Sequence, residues 1–558
     1  MPSKNKSNHF LIQGSILAVT SLLVRVIGLL YRIPMTNIIG DEGMGIYNNT
    51  FEVYNIALIL SSYSLPMAVS KLVAVRRIKK EHKNSFRIFQ CGLAFAIFAG
   101  LTATLLLFFG ADFISSFYKD PSMALPLMVL SPTIFIFAIM GVLRGFYQGK
   151  NTMIPTAVSQ VLEQIVNAAV SILASYLLVQ NFTANANIAY YGAAGGTLGT
   201  FLGAVIGLVF LLLVFVLYKP VINKQMRQDP DDNRESYKKI FYLLIITIAP
   251  IILSQTVYQV SGFLDNVIFH RLMSTKHISA FDLEVLENAT TDMTYTKTFR
   301  NVLVGIYGAK YKLLTNVPVA IATAIAAAII TTIAAANERG MKDVIRSKVH
   351  AAIKFNMIVA IPSAVGMGVL ASPILQLLFG EARQLPANYL RIGCISIVFY
   401  ALSTLSSSVL QGINRLKTPV INSAISLGIH IILVILLLKF TPLSAYALVI
   451  GNVSFALVVC ILNWLAIEKY LNYRQEILRT FLIPTVSAGL MGVAAYFIYQ
   501  GMESLTGSNL LSTIVAIVIS IVIYFVLLIF MKGVDEDELT SLPKSKAIIR
   551  ILKKLHLL

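Results

Sequence analysis

Charge is scarce in this chain. Of 558 residues only 26 are acidic and 45 basic, 13% charged in all, while 57% are hydrophobic. A soluble domain carries about 25% charged residues, so an ordinary soluble protein is excluded. Long polar segments are also lacking, which leaves no room for a separate soluble domain. Only three cysteines occur, Cys91, Cys394 and Cys460. They are scattered through apolar stretches, with no disulfide framework and no metal-ligand spacing. They read as small packing residues. No H-E-x-x-H, Walker A or G-x-S-x-G pattern is present, so neither ATP hydrolysis nor a resident cofactor is expected. The "DPD" at 229–231 resembles the D-x-D of metal-dependent glycosyltransferases, but it sits in a charged loop with no catalytic domain around it. His430 stands alone in an apolar run. The chain reads as a non-enzyme.

What is present is a succession of apolar runs. A membrane span needs about 20 such residues. Fourteen are expected, near 10–34, 52–75, 88–110, 122–147, 153–180, 190–218, 240–270, 301–335, 349–371, 387–410, 419–439, 442–466, 480–500 and 508–531. The N-terminal "MPSKNKSNHF" is polar and basic, lacks an A-x-A-like site after the run that follows, and Arg25 interrupts that run. It predicts a retained first helix rather than a signal peptide.

The formal charge is +19, but it does not point to nucleic acid. "RRIKKEHKNSFR", "KPVINKQMRQDPDDNRESYKK", "NERGMKDVIRSK", "QGINRLK" and the tail "KSKAIIRILKKLHLL" are basic; "GDEGMG" and "FDLEVLENATTD" between them are not. This alternation follows the positive-inside rule and places both termini in the cytoplasm.

A long-period repeat is legible. "ALPLMVLSPTIFIFAIMGVLRGFYQGKNTMIP" matches "QLPANYLRIGCISIVFYALSTLSSSVLQGINRLKTP", pairing Pro126 with Pro386, Gly149 with Gly412 and Pro155 with Pro419 at offsets of 260, 263 and 264. Upstream, Pro66 pairs with Pro318 at 252 and Gly28 with Gly262 at 234. The growing offset locates an insertion in the outer loop 273–300. The expected fold is an all-α polytopic membrane protein: two parallel six-helix repeats plus two C-terminal helices. Its parts are an N-terminal lobe (1–218), a cytoplasmic linker (219–239), a C-terminal lobe (240–466), two additional helices (480–531) and a basic cytoplasmic tail (532–558). Parallel-repeat transporters place their substrate site between the halves.

Several polar residues interrupt the apolar runs. Arg25 and Arg32 lie seven apart, two turns on one face, with Gly28 between them leaving room for a bulky group and Pro34 beyond, where the helix can end or kink. An intramembrane arginine costs about 2.5–3.5 kcal/mol on insertion scales; two fixed cations on one face suit an anionic substrate group. Lys71, Lys310 and Lys312 are further candidate cations, whereas Arg144 and Lys150 read as cytoplasmic-rim residues. "SQVLEQIVN" puts Gln160, Glu163, Gln164 and Asn167 on one stripe. "SQTVYQVSGFLDN" repeats the device with Gln255, Tyr258, Gln259, Gly262, Asp265 and Asn266. Intramembrane carboxylates mark ion or proton paths, so Glu163 and Asp265 are candidates for coupling or for neutralising an arginine.

"RGFYQGKNTMIPTAVSQVLEQIV" and "YRIPMTNIIGDEGMGIYN" resemble the polysaccharide-export and stage V sporulation protein B branch of the multidrug/oligosaccharidyl-lipid/polysaccharide (MOP) exporter superfamily, related to the lipid II flippase MurJ. The resemblance spans essentially the whole chain. It implies a fourteen-helix, two-lobed flippase, working as a monomer by alternating access in the cell inner (cytoplasmic) membrane. It would move an undecaprenyl-diphosphate-linked oligosaccharide or lipid II-like precursor. Arg25, Gly28 and Arg32 match in type the first-helix arginine pair of MurJ, one residue further apart, while the second-helix arginine has no counterpart. The implied diphosphate site is Arg25, Gly28, Arg32, Lys71, Lys310 and Lys312. The cavity-lining or coupling set is Gln160, Glu163, Gln164, Asn167, Gln255, Gln259, Asp265 and Asn266, with Na⁺ or H⁺ as the coupling cation. The alternatives are a cation-coupled multidrug exporter on the same architecture and a membrane glycosyltransferase or polymerase.

Overall fold

The computed structural model describes the backbone of residues 4–182, 187–229 and 234–534. It divides into two compact units, one of Met1–Ile278 with Asp292–Ala309 and one of Ser279–Thr291 with Lys310–Leu558. The first unit holds helices α1 (Lys4–Leu58), α2 (Leu65–Ile78), α3 (His82–Phe109), α4 (Ala111–Phe117), α5 (Ala124–Leu130), α6 (Pro132–Gly149), α7 (Ile154–Asn181), α8 (Ile188–Arg227), α9 (Tyr237–Met273) and α10 (Lys297–Gly305). The second holds α11 (Leu313–Glu338), α12 (Lys342–Val369), α13 (Ala371–Phe379), α14 (Gln384–Gly393), α15 (Ser396–Gly412), α16 (Lys417–Phe440), α17 (Tyr446–Leu471), α18 (Ile483–Thr506) and α19 (Asn509–Phe530).

Among the described residues, eleven helical stretches are long and apolar enough to cross a membrane. Val19–Ile78 joins the first two expected spans into one stretch. The spans expected at 240–270 and 301–335 fall on α9 and on α10 with α11, some of whose side chains lie outside the described residues. The fold is therefore all-helical and multi-pass, and the number fourteen remains a reading of the sequence.

Within α1 the helix continues through Pro34, and its break comes at Gly40, whose φ of 70° and ψ of 179° are non-helical. Such a backbone favours a residue without Cβ. The expected end or kink at Pro34 is thus displaced by six residues to Gly40.

The repeat is visible in the packing of each unit taken separately. In the first, a Cβ on Gly149 of α6 would stand 2.7 Å from the Cβ of Val73 on α2. In the second, a Cβ on Gly412 of α15 would stand 2.8 Å from Cγ2 of Ile333 on α11. The paired glycines thus perform the same close helix approach. A π-helical turn precedes each paired proline: Ile59–Tyr63 before Pro66 and Ile306–Lys312 before Pro318. Proline supplies no N–H to the preceding turn, and π-turns are one way a helix absorbs that loss.

The units do not follow the repeat boundary drawn at 219–239, because α9 and α10 group with the first unit. The reason is local. Glu52 of α1 packs onto Gly262 of α9, where a Cβ would meet its carboxylate at 2.6 Å. The Asn49 amide reaches His270 Nε2 at 2.8 Å and donates to Asn301 Oδ1 at 3.2 Å. In turn Asn301 donates to Asp120 Oδ2 at 2.8 Å.

The linker is pinned to the basic loop after α2. Glu235 takes Arg76 at 2.9 Å, and the Glu235 carbonyl accepts from Arg87 at 2.6 Å. Asp229, first residue of the D-x-D, accepts the Lys83 backbone N–H at 2.8 Å. That is a helix-capping role at the start of α3. Asp231 lies outside the described residues. In the second unit His430 bonds the Gly451 carbonyl at 2.8 Å, joining α16 to α17. Tyr524 of α19 donates to the Ile358 carbonyl of α12 at 3.0 Å, attaching the last helix to this unit. All three cysteines are free, with Cys91 and Cys460 buried.

Candidate functional site: a cationic cavity in the first unit

Small residues on α6 bring it against α2. A Cβ on Gly145 would stand 2.7 Å from the Pro66 carbonyl oxygen, and one on Gly141 3.2 Å from the Pro66 ring. This contact sets side chains of both helices around a cavity of about 640 Å³. Its polar lining comes from Ser62 of the π-turn before α2, Ser70 and Lys71 of α2, Arg144 and Gln148 of α6, and Gln160 of α7. Leu58, Pro66, Met67 and Phe137 supply apolar wall. Its two cations lie near the basic loops: Lys71 is five residues before Arg76 on α2, and Arg144 five residues before Gly149, the end of α6.

Lys71 is exposed and has no ion pair among the described residues. Arg144 is only 8% exposed. Its Nη2 donates to Glu163 Oε2 at 2.7 Å and its Nε to Ser159 Oγ at 3.0 Å. Ser159 in turn donates to the Thr156 carbonyl at 2.8 Å. The α7 stripe thus orients the guanidinium. Arginine has five N–H donors in a rigid fork, so three remain beyond these two bonds. The buried Gln160 Oε1 has no hydrogen-bond partner among the described residues. The cavity therefore offers two cations, two amides and two hydroxyls to an anionic group.

The sequence reading of Arg144 as a cytoplasmic-rim residue gives no hint of its surroundings. Arg144 is buried, paired and cavity-lining. Of the candidate stripe, Gln160 lines the cavity and Glu163 holds Arg144. Asn167 bonds helices together instead: its Oδ1 accepts from Ser171 at 3.0 Å and from Thr200 of α8 at 3.4 Å. Gln164 reaches the notch at Gly28, where a Cβ would meet its Nε2 at 3.3 Å. The room at Gly28 thus holds a side chain of α7.

Arg25 and Arg32 do not line this cavity. Arg25 is exposed; the Arg32 guanidinium lies 5.9 Å from the centre of the Tyr47 ring. Neither has a carboxylate within salt-bridge distance among the described residues. In α9, Gln259 is exposed while Asp265 and Asn266 are buried; the Gln255 and Tyr258 side chains lie outside the described residues. Lys310 belongs to the second unit, where its Nζ meets Glu381 Oε2 at 2.5 Å with both side chains 5% exposed. Glu381 also takes Arg383. Burial pushes the Glu381 carboxyl up, but the hydrogen bonds from Arg383 and Lys310 outweigh it and hold it down to about 2. Lys312 is half-buried two residues on. The six-member diphosphate set is not gathered within one unit: Lys71 alone of it lines the cavity.

Sequence reasoning passed over Glu52 and the Asn49–His270–Asn301–Asp120 chain. The signal was there, in "NNTFE" at the head of the second apolar run.

A multi-pass helical chain, internally repeated, with a cation-lined cavity among its helices, has the architecture of a membrane transporter, and the matches that follow place it in the MOP superfamily. More narrowly, the chain belongs to the polysaccharide biosynthesis protein family, whose sequence model matches residues 11–337; the MatE model matches 304–436. It is 26% identical to the lipid II flippase MurJ of Bacillus subtilis (strain 168) over 499 residues, 87% of each chain. Identity to stage V sporulation protein B of the same organism is 24%, over 96% of this chain and 98% of that one. The fold matches a solved structure of lipid II flippase MurJ in an inward closed conformation, with a TM-score of 0.65 at 14% identity, covering 92% of this chain and 97% of the other.

Proposed function

We propose that this protein is a flippase that carries a polyprenyl-diphosphate-linked saccharide, such as an undecaprenyl-diphosphate precursor, from the cytoplasmic to the outer leaflet by alternating access. The observation that carries the proposal is the cavity of about 640 Å³ with Lys71 and Arg144 on its wall. A diphosphate diester bears two negative charges, and two cations answer them. Arginine binds phosphate oxygens bidentately and lysine as a point charge. The loop charges put this cavity toward the cytoplasm, where a substrate made there would be met first.

Arg25 and Arg32, about 10 Å apart along α1 at 1.5 Å rise per residue, are proposed as a second cationic station further along the path. Their lack of a carboxylate partner supports that reading. A cation-coupled exporter of soluble cationic drugs fits this charge poorly. Transfer of a labelled polyprenyl-diphospho-saccharide between leaflets of proteoliposomes, without chemical change, tests the proposal. A new glycosidic bond on the product would replace it with the polymerase alternative.

A further inference from the structure

The seam between α2 and α6 carries a second pair of cations beyond the cavity. Gly149 closes α6 against α2: a Cβ there would stand 2.7 Å from the Cβ of Val73 and 2.9 Å from the Ser70 carbonyl oxygen. Lys150 follows Gly149 directly, and Arg77 stands one turn beyond Val73 on α2. The two side chains therefore start from adjoining helix ends, and neither lines the cavity. Lys150 is half-buried and held in place. Its Nζ donates to Gln225 Oε1 of α8 at 2.9 Å and lies 4.9 Å from the centre of the Phe146 ring and 5.3 Å from that of Tyr218. An ammonium has three N–H donors, so two remain. Arg77 is exposed.

Among the described residues, no acid answers this pair. Glu235 holds Arg76 at 2.9 Å and stands 3.9 Å from Lys239. Glu81 accepts from Asn84 at 3.3 Å, and Asp229 caps α3. Arg77 and Lys150 have no ion pair there. Burial and the nearby Arg77 charge push the Lys150 ammonium down to about 8. Both causes disfavour the charged form, and an anion bound between the two cations would offset the second.

The loop charges put this end of the seam at the cytoplasmic surface, at the level of the lipid phosphates of an anionic leaflet. We propose that Arg77 and Lys150 form a binding site for the phosphate of an anionic phospholipid headgroup. The guanidinium takes phosphate oxygens with its fork and the ammonium as a point charge, while Gln225 and the two rings keep Lys150 at the rim. Lys71 lies six residues before Arg77 on α2, about 9 Å at 1.5 Å rise per residue. The site is thus separate from the cavity. It goes beyond the flippase reading, because its ligand is a membrane lipid that is held and not carried.

The test uses the delipidated full-length protein in a phosphate-free maltoside detergent. Lysines are acetylated by an N-hydroxysuccinimide ester near pH 8, and the rate at Lys150 is read by peptide mass spectrometry against that at exposed Lys80 on the same face. Three ligands are compared: dioctanoyl-phosphatidylglycerol, dioctanoylglycerol, which lacks the phosphate, and soluble glycerol phosphate. Only the neutral amine reacts. A bound anion that lifts Lys150 by about one unit cuts its neutral fraction from about half to about a tenth, so phosphatidylglycerol should slow Lys150 about fivefold relative to Lys80. The other two ligands should leave the ratio unchanged. Arg77→Gln should lose most of the slowing with its melting temperature unaltered. Equal slowing at Lys80 and Lys150 would be general surface charge and would overturn the site, as would no slowing at Lys150. Slowing by glycerol phosphate at the same concentration would overturn the lipid as the source and leave a site for free phosphate. Undiminished slowing in Arg77→Gln would overturn the pairing. No arm uses the transported substrate, so a failure here leaves the flippase reading standing.

Discussion

Replacing Lys71 by alanine isolates the cavity from the fold. Lys71 projects from α2, is exposed, and has no ion pair among the described residues, so its removal should change stability by no more than about 0.5 kcal/mol. Arg144 is a worse probe, since truncating it strands Glu163, and breaking a buried pair costs about 3–5 kcal/mol. A hydrogen bond to a charged partner is worth about 1.5–3 kcal/mol. Exposure and water access put Lys71 at the low end, and each 1.4 kcal/mol is about tenfold in affinity. Lys71→Ala should therefore weaken half-saturation by the lipid-linked substrate about tenfold, with the melting temperature unchanged. Lys71→Arg should recover most of the loss, because the charge returns. The assay is initial-rate leaflet transfer in proteoliposomes over a substrate series. If Lys71→Ala shows parental half-saturation and rate, the cavity is not the substrate's first station.

Other expectations follow from the remaining groups. Arg25→Ala and Arg32→Ala should insert at normal levels and transport poorly, with lysine variants between alanine and the parent; parental transport by both alanine variants would make the pair structural. Lys310→Met should destabilise the protein by about 3–5 kcal/mol, and Lys310→Met with Glu381→Gln by less, read as thermal unfolding; an additive double variant would show no coupling. The Glu381 carboxyl is held at about 2 against an ordinary 4.5, so its contribution is present above pH 4.5 and is lost as pH falls towards 2. The melting-temperature gap between parent and Glu381→Gln should close over that window. Lys150, packed near Phe146 and Tyr218, is pushed down to about 8 by burial and by Arg77. The unfolded chain then binds more protons between about pH 8 and 10.5, so stability should rise with pH across that range; Lys150→Met should abolish the rise. In a chain cleared of native cysteines, cysteines placed at Lys80 and Glu287 should label from opposite sides of the membrane; labelling from one side would refute the loop-charge topology.

Much of the fold was legible because membrane helices declare themselves by apolar length. The repeat was legible because its prolines and glycines do backbone work: Gly149 and Gly412 make the same contact in each unit, and Pro66 and Pro318 each follow a π-turn. The break in α1 was misplaced because proline costs a helix one hydrogen bond and some steric room, whereas Gly40 takes a φ that ends helical geometry outright. Periodicity identified the face of α7 that bears Gln160, Glu163, Gln164 and Asn167. It could not say what each meets, because that depends on how neighbouring helices are turned. So one stripe serves three ends: cavity wall at Gln160, charge partner at Glu163, interhelix bond at Asn167. The pairing of Arg144 was missed for the same reason, since its partner lies 19 residues away on another helix. The chain through Asn49 and His270 joins residues 221 apart in sequence, beyond the reach of any local pattern.

The central claim is that the protein moves a diphosphate-linked lipid across the bilayer. Its most direct measurement is leaflet transfer of a fluorescent polyprenyl-diphospho-saccharide in proteoliposomes, read by a quencher that reaches only the outer leaflet. The account predicts protein-dependent transfer of unmodified substrate, competed by a second polyprenyl-diphospho-sugar and weakened by Lys71→Ala. Transfer no faster than in protein-free liposomes, from protein shown to be folded, would contradict it.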